Sequence, residues 1–200
     1  AEKNRTLTLQ ECEIPELKQR LINIADINSA NCDGAKSHQT ILKKEDILNK
    51  TINGDIYQAL PLLPDGFADL IIIDPPYNLT KNFNGKVFTA RSDSSYDDYL
   101  ESWFFDVCKK LKPNGSLYMC GDWKCTSSLQ RVIEKQLTVI NRITWQREKG
   151  RGAKSNWKNG MEDIWYAVKN PADYYFDVEA VKMKRKVIAP YRVNGKPKDW

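Results

Sequence analysis

The pattern of apolar and polar positions is clearest at residues 70–73, where Leu, Ile, Ile and Ile follow one another without interruption. Such a run predicts a strand that is buried on both faces, as in the middle of a parallel sheet. The strand ends abruptly, because Asp74, Pro75, Pro76 and Tyr77 follow at once. Open α/β sheets bind their ligands at the carboxyl ends of strands, so this corner is the first candidate for a site.

Strand-like runs and helical periodicity alternate along the rest of the chain. After the first strand the pattern predicts, in chain order, a loop at 80–95, a helix at 96–111, a strand at 116–120, a helix at 126–137, a strand at 139–145, a loop at 147–159, a strand at 163–168 and a last strand at 174–181. This alternation predicts an α/β fold with an open, mostly parallel sheet.

The first 50 residues differ from the rest and predict a separate helical extension. Apolar residues at helical spacing indicate short helices near residues 14–24 and 41–48, with Pro15 in a first turn. Nothing in this part indicates chemistry. The predicted domains are therefore an N-terminal helical extension at 1–50 and a second unit at 51–200.

The corner after the apolar run has the chemistry of an acceptor site. Proline has no N–H group and a fixed φ, so Pro75 and Pro76 stiffen the turn and leave the carbonyls of Asp74 and Pro75 free to accept hydrogen bonds. The ring of Tyr77 lies beside them in the sequence. This combination suits a planar ligand that carries an amino group, such as a nucleobase. The alternative is an ordinary Pro-Pro turn with Tyr77 packed over it.

The charge is unevenly distributed, and this adds a possible partner. The net charge is +5, and residues 142–200 carry 14 Lys and Arg against 7 Asp and Glu, interleaved with aromatic residues. Phosphate contact and base stacking require this composition, although solvated lysines around an aromatic core also produce it. The candidate nucleic-acid contacts are the cations of one segment: Arg147, Lys149, Arg151, Lys154 and Lys158.

Several function classes are disfavoured. The five cysteines have no CxxC spacing and His38 is the only histidine, so neither a disulfide framework, a metal site nor a histidine-dependent nucleophile is predicted. No apolar run approaches the roughly 20 residues of a membrane span, and residues 1–10 do not resemble a signal peptide. A cytoplasmic or nucleoid-associated protein with no membrane contact is expected.

The tetrapeptide from Asp74 to Tyr77, placed after an apolar strand, resembles the catalytic motif of amino-directed DNA methyltransferases. Further segments are similar to this family in the same order, upstream at 53–55, 60–61 and 64–70 and downstream at 111–116, 143–145 and 159–165. The arrangement looks like the β-class, in which the catalytic motif lies near the amino terminus. The resemblance covers roughly residues 53–182.

This resemblance implies a Rossmann-like methyltransferase sheet with helices on both faces, and S-adenosyl-L-methionine as the cofactor. It implies site-specific methylation of N6 of a flipped adenine in double-stranded DNA, as in restriction–modification systems. The aspartate favours adenine, because cytosine-N4 members of the family usually carry serine there. Asp74 and Pro75 would accept the amino hydrogens, with Pro76 in the same motif, and Tyr77 would stack on the base.

The resemblance also implies the remaining contacts. Asp55, Ile56 and Asp74 would bind the cofactor, and Asn78, which follows the motif, would contact DNA.

One expected feature of the family is missing from the sequence. The family binds its cofactor through a glycine-rich FxGxG segment that follows the catalytic motif in the β-class, and no such segment occurs here. The sheet is therefore expected to be incomplete, to expose an apolar edge, and to need a second polypeptide or a missing C-terminal segment that carries FxGxG. Two alternatives remain, a non-catalytic DNA-binding subunit of a methyltransferase complex and an RNA adenine-N6 methyltransferase.

Overall fold

The computed structural model describes residues 10–30, 41–83, 85–151, 155, 157, 159–182, 192–194 and 196–197. The strands are β1 Leu21–Asn23, β2 Thr51–Asn53, β3 Ala68–Ile73, β4 Lys81–Phe83, β5 Lys86–Phe88, β6 Leu111–Gly121, β7 Thr138–Arg151, β8 Asn159–Val168, β9 Arg192–Val193 and β10 Lys196–Pro197. The helices are α1 Ile14–Gln19, α2 Ile24–Ala30, α3 Lys44–Ile47, α4 Ile56–Ala59, α5 Asp93–Lys110, α6 Thr126–Glu134 and α7 Val178–Val181.

The main sheet has four strands in the order β3-β6-β8-β7. Strand β3 runs parallel to β6, whereas β8 is antiparallel to both of its neighbours, β6 and β7. Three of the four strands therefore point in the same direction. This confirms the predicted α/β class and the open sheet, and it brings the carboxyl ends of β3 and β6 to the same edge as the beginning of β8.

One face of this sheet is covered by helices α5 and α6, which also pack on each other. The two helices and the strand residues beneath them form one hydrophobic cluster, whose strand residues include Ile71, Ile73, Leu117, Met119, Trp165 and Ala167. These residues occupy alternate positions in their strands, as a half-buried sheet requires. Each large side chain that is fully buried here contributes about 1.5–3 kcal/mol to folding.

Helix α5 begins and ends through local side-chain chemistry. Ser92 caps its first turn, where the hydroxyl accepts a hydrogen bond from the N–H of Ser95 at 3.3 Å, so the helix starts before the predicted residue 96. At its other end, Lys169 donates to the carbonyls of Cys108 and Leu111, at 3.2 and 3.0 Å. These bonds satisfy carbonyls that a helix end leaves unpaired, and β6 follows without a loop.

The prediction that residues 70–73 are buried on both faces is wrong. Strand β3 is an edge strand in the described part of the chain, and Leu70 and Ile72 are 52% and 68% exposed. Ile71 and Ile73 point to the covered face and Leu70 and Ile72 to the opposite one. An apolar run has the same sequence whether or not a neighbouring element covers its second face. The predicted exposure of apolar residues at a sheet edge is observed at Leu70 and Ile72.

Three segments differ from their predicted conformation. The predicted loop at 80–95 contains the β4–β5 hairpin, and β7 continues through the predicted loop as far as Arg151. In both segments, backbone hydrogen bonds form between neighbouring strands although the side chains are polar. The predicted strand at 174–181 is wrong, because residues 174–177 are irregular and α7 follows.

The N-terminal residues contact the remainder of the chain through a small parallel pair, β1 with β2. Gly54 lies against Ile24, where an added Cβ would come within 2.6 Å of that side chain. Residues on both sides of position 50 therefore pack together, and the predicted domain boundary stays a prediction. In the segments that the structure describes, no helix combines the length and the apolar character needed to cross a membrane.

A pH effect follows from the turn that leads into β3. The ammonium of Lys110, which is almost fully buried, contacts Asp65 at 2.6 Å and the Leu63 carbonyl at 2.8 Å, and its hydrogen bond lowers the pKa of Asp65 below the usual value. A carboxylate with a lowered folded-state pKa stabilises the fold above its unfolded pKa of about 3.9, and this stabilisation is lost as the pH falls through the folded-state pKa.

We therefore expect Asp65→Asn to lower the urea midpoint of unfolding at neutral pH, and the difference from the unsubstituted chain to shrink as the pH falls below about 4. Asp98→Asn is the matched control, because Asp98 is exposed on α5 and has no ion pair among the described residues. A difference that persists unchanged in acid would contradict this explanation.

Candidate active site

An open cleft lies where β3 and β6 end and β8 begins, with a volume of about 1380 Å³. Its walls come from four short segments of the chain, which place acidic, basic and aromatic side chains around one space. These residues are Asp74, Pro75, Pro76, Tyr77, Leu79, Lys81, Phe83, Asp122, Trp123, Lys124, Trp145, Arg147, Trp157, Asn159, Met161 and Glu162. The predicted motif therefore lies in the cleft as a unit.

Strand pairing and a side-chain hydrogen bond fix the position of the corner that carries Asp74. Ile73 is opposite Met119 in the parallel ladder, so Asp74 leaves the sheet at its edge. The buried hydroxyl of Tyr96 donates to the Pro76 carbonyl at 2.8 Å. Among the described residues, no hydrogen bond is donated to the backbone carbonyl of Asp74 or Pro75. Both carbonyls remain available to a ligand.

Three carboxylates line the cleft, and two of them form hydrogen bonds or an ion pair with other groups of the protein. Asp122 accepts the N–H groups of Lys124 and Cys125, at 3.0 and 3.1 Å. Glu162 forms an ion pair with Arg147. Asp74 interacts with the hydroxyl of its neighbour Tyr77 and has no cationic partner in the described chain. Asp74 is therefore the carboxylate that can engage a ligand.

The electrostatics of the corner keep its other groups neutral. Burial, with the nearby Asp74 carboxylate as a second cause, raises the pKa of the Tyr77 hydroxyl far above its ordinary value. Burial also raises the pKa of the Cys120 thiol, with Asp74 and Glu162 as further causes. A neutral tyrosine ring beside an exposed carboxylate can stack on a base without adding charge.

Asn78, a predicted DNA contact, forms a clasp with the backbone of Arg91. Its side-chain amide donates to the Arg91 carbonyl at 2.8 Å, and its side-chain oxygen accepts the Arg91 N–H at 2.7 Å. Thr80 accepts a bond from the N–H of Ala90 at 3.1 Å. The base of the β4–β5 hairpin is therefore closed, and the role of Asn78 in DNA binding stays a prediction.

Exposed aromatic rings and cations form the outer part of the cleft. Lys81 lies 4.9 Å from the ring centre of Phe83, and Lys124 lies 5.7 Å from that of Trp123. Phe83 and Lys81 were not identified from sequence, because they lie in a segment that was predicted as a loop. The sequence does contain a signal for them, because a cationic and an aromatic residue two positions apart lie on the same side of a strand.

The other predicted site residues lie in different places. Arg147 lines the cleft, whereas Lys149 and Arg151 continue along β7, and Lys154 and Lys158 lie outside the described residues. Asp55 and Ile56 do not line the cleft. The Asp55 carboxylate caps α4 by accepting the N–H of Tyr57 at 2.9 Å.

Comparison with known proteins agrees with this geometry. A model of the DNA methylase family, which covers N6 and N4 methyltransferases, matches residues 68–195. The chain belongs to the DNA methylase family. This confirms the resemblance that the tetrapeptide and its flanking segments indicated, and it places the family match over the whole of the main sheet.

Curated members of the DNA methylase family are similar over the same part of the chain. "DNA adenine methyltransferase YhdJ" of Escherichia coli (strain K12) is 31% identical over 140 residues, 68% of this chain and 46% of that protein. "Type II methyltransferase M.HpaI" of Haemophilus parainfluenzae is 28% identical over 142 residues, 68% of this chain and 44% of that protein. The chain spans less than half the length of these two relatives.

Among solved structures, the PvuII DNA methyltransferase (cytosine-N4-specific) matches with a TM-score of 0.48 and 20% identity, covering 58% of this chain and 48% of that one.

We expect Tyr96→Phe to destabilise the fold by about 1 kcal/mol, because it leaves the part-buried Pro76 carbonyl without its donor. The measurement is urea unfolding at neutral pH. Tyr118→Phe is the control, since no hydrogen bond to the Tyr118 hydroxyl is found in the described chain. Equal midpoints for the two variants would show that the bond to Pro76 does not stabilise the corner.

Proposed function

We propose that this chain forms the target-base part of a DNA methyltransferase that modifies N6 of adenine with S-adenosyl-L-methionine as the methyl donor. The observation that carries the proposal is Asp74, a carboxylate without a cationic partner, at the wall of an open cleft in a DNA methylase chain. Pro75, Pro76 and Tyr77 follow it directly. The proposed substrate is double-stranded DNA from which the adenine is flipped.

The proposed role of the corner is to prepare the amino group. The lone pair of an adenine amino nitrogen is delocalised into the ring, so this nitrogen is a poor nucleophile. If the two amino hydrogens are donated to the Asp74 carboxylate and the Pro75 carbonyl, the lone pair becomes more localised and is oriented for transfer. The bond from Tyr96 to Pro76 keeps this corner rigid.

Tyr77 is proposed to hold the base by stacking. Its ring lines the cleft and its hydroxyl stays neutral, so the face of the ring can pack against a planar base. Removing a base from the duplex stack costs a few kcal/mol, and stacking on an aromatic side chain offsets part of this cost. The proposal of adenine rather than cytosine rests on the aspartate at position 74.

The described residues fit the methyl donor only in part. Asp74 offers a negative charge in the cleft, which favours a positively charged sulfonium, whereas Asp55 and Ile56 lie outside the walls of the cleft. When bound, S-adenosyl-L-methionine supplies the methyl group. The predicted contacts of Asp55 and Ile56 with this cofactor therefore remain proposals.

The exposed edge of the sheet supports a further partner. Leu70 and Ile72 expose apolar surface on β3, and no strand pairs with the outer edge of β3 within the described ranges. An exposed apolar edge is unfavourable unless another segment covers it. We propose that a polypeptide segment carrying the cofactor site, in this protein or in a second chain, covers β3.

Asp74→Ala is expected to reduce methyl transfer by at least about 100-fold, because the main acceptor for the amino group is removed, and to leave DNA affinity nearly unchanged. The measurement uses isotope-labelled S-adenosyl-L-methionine and genomic DNA, with any cofactor-binding partner present. Asp98→Asn, on the exposed side of α5, should retain activity.

Unchanged transfer by Asp74→Ala would refute the assigned role. DNA binding without methylation by the unsubstituted chain, with every candidate partner added, would favour the non-catalytic binding subunit.

Ile72→Lys is expected to prevent coverage of β3. At the residues of 68–73 whose N–H groups do not pair with β6, amide hydrogen exchange should be fast in the chain alone. It should become slow after a candidate cofactor-binding polypeptide is added, and Ile72→Lys should abolish this added protection. Val87→Lys is the control, since Val87 is exposed to a similar degree but lies in the β4–β5 hairpin. Full protection of β3 in the monomeric chain would contradict the proposal.

A further inference from the structure

Two consecutive carboxylates on β8 are buried, and each is paired with an arginine of the neighbouring strand β7. Glu162 pairs with Arg147, and Asp163 pairs with Arg142. Successive residues of a strand point to opposite faces of the sheet, so the two ion pairs lie on opposite faces. One hairpin therefore carries two chemically similar pairs in two different surroundings.

The first pair forms part of the cleft. Arg147 Nη1 lies 2.5 Å from Glu162 Oε1, and the side chains are 46% and 9% exposed. Both residues line the cleft that contains Asp74. The Glu162 side chain is thus nearly sequestered from water, whereas the Arg147 side chain stays about half exposed at the cleft wall.

The second pair lies beside the hydrophobic cluster and outside the cleft. Arg142 Nε donates to Asp163 Oδ1 at 2.9 Å, and the guanidinium lies 6.0 Å from the ring centre of Trp165. Trp165 belongs to the hydrophobic cluster under α5 and α6, and its ring N–H donates to Thr126. Neither member of this pair lines the cleft. It is therefore a matched comparison for the first pair.

The exposure and charge of the cleft pair indicate a second partner for the arginine. A buried carboxylate is costly when it is unpaired, so the Glu162 bond fixes where the guanidinium lies. A guanidinium has five N–H donors in a rigid fork and can bind two anions at once. In the described part of the chain Glu162 is the only group paired with Arg147, which leaves donors available for another anion.

We propose that Glu162 is a positioning residue, which holds Arg147 at the cleft wall so that its remaining N–H groups bind a phosphate of the nucleic-acid strand that enters the cleft. This inference rests on the proposed function, because it takes DNA as the ligand. A carboxylate in a DNA-binding cleft would by itself repel the phosphates through its negative charge. If Glu162 holds Arg147 in place, the buried glutamate instead favours phosphate binding.

The direction of one substitution distinguishes positioning from simple charge. Glu162→Gln removes a negative charge from the cleft, so electrostatics alone predicts tighter binding of DNA. If the carboxylate holds Arg147 in place, the same substitution weakens binding, because the guanidinium must then be ordered when the phosphate binds. The two explanations therefore predict opposite signs.

The experiment measures binding of a fluorescently labelled, random-sequence duplex to the full chain by anisotropy, from about 50 to 200 mM salt. We expect Glu162→Gln and Arg147→Lys each to weaken binding by about three- to tenfold, since lysine keeps the charge but loses the fork. Arg142→Lys, with the same chemical change on the other face, should stay within about twofold. Circular dichroism and thermal melting check that each variant is folded.

The outcomes separate this inference from the function on which it rests. Tighter binding by folded Glu162→Gln, or equal effects of Arg147→Lys and Arg142→Lys, would overturn the positioning role while DNA binding itself stands. If Glu162→Gln does not fold, the comparison of the two lysine variants decides. An unsubstituted chain that does not bind DNA at any salt concentration tested would overturn the proposed function and this inference together.

Discussion

The parallel pairing of β3 with β6 is the constraint on which the rest of the site depends. Because Ile73 lies opposite Met119, β3 ends two residues before β6, and Asp74 and Asp122, which follow the two strands, both line the cleft at this end of the sheet. The pairing of the antiparallel strand β8 with β6 begins near this level, with Asp163 opposite Gly121. A shift of one residue in this register would turn every side chain of β3 to the other face and separate the groups of the cleft.

The main hydrophobic cluster that maintains this register lies on one face of the sheet. Helices α5 and α6 cover one face of the sheet, and Gly121 permits their close approach, since a Cβ there would lie 2.3 Å from Leu129. On the opposite face Leu70 and Ile72 remain exposed at the edge. The functional corner therefore stands at the end of a strand that is packed on one face and exposed on the other, where backbone geometry is fixed and access is retained.

Local pattern predicted much of the fold, and it failed where distant contacts decide. The run at 70–73 and the residues after it identified the corner with Asp74, because strand, turn and motif are contiguous in sequence. The edge position of β3 was not predictable, since it depends on which neighbour pairs with it. The same holds for Glu162, whose significance comes from Arg147 across a hairpin, and for β7, which continues through polar residues because backbone bonds to β8 do not require apolar side chains.

The clasp between Asn78 and Arg91 has a consequence for how this protein can change over evolutionary time. Two hydrogen bonds tie the ends of the segment that contains the β4–β5 hairpin, and Thr80 adds a third bond to Ala90. The entropy of closing a loop grows only slowly with its length, so a closed base tolerates insertions and exchanges at the tip. The hairpin can therefore diversify as a module, with new side chains presented to the cleft, while the Asp74 corner keeps its geometry.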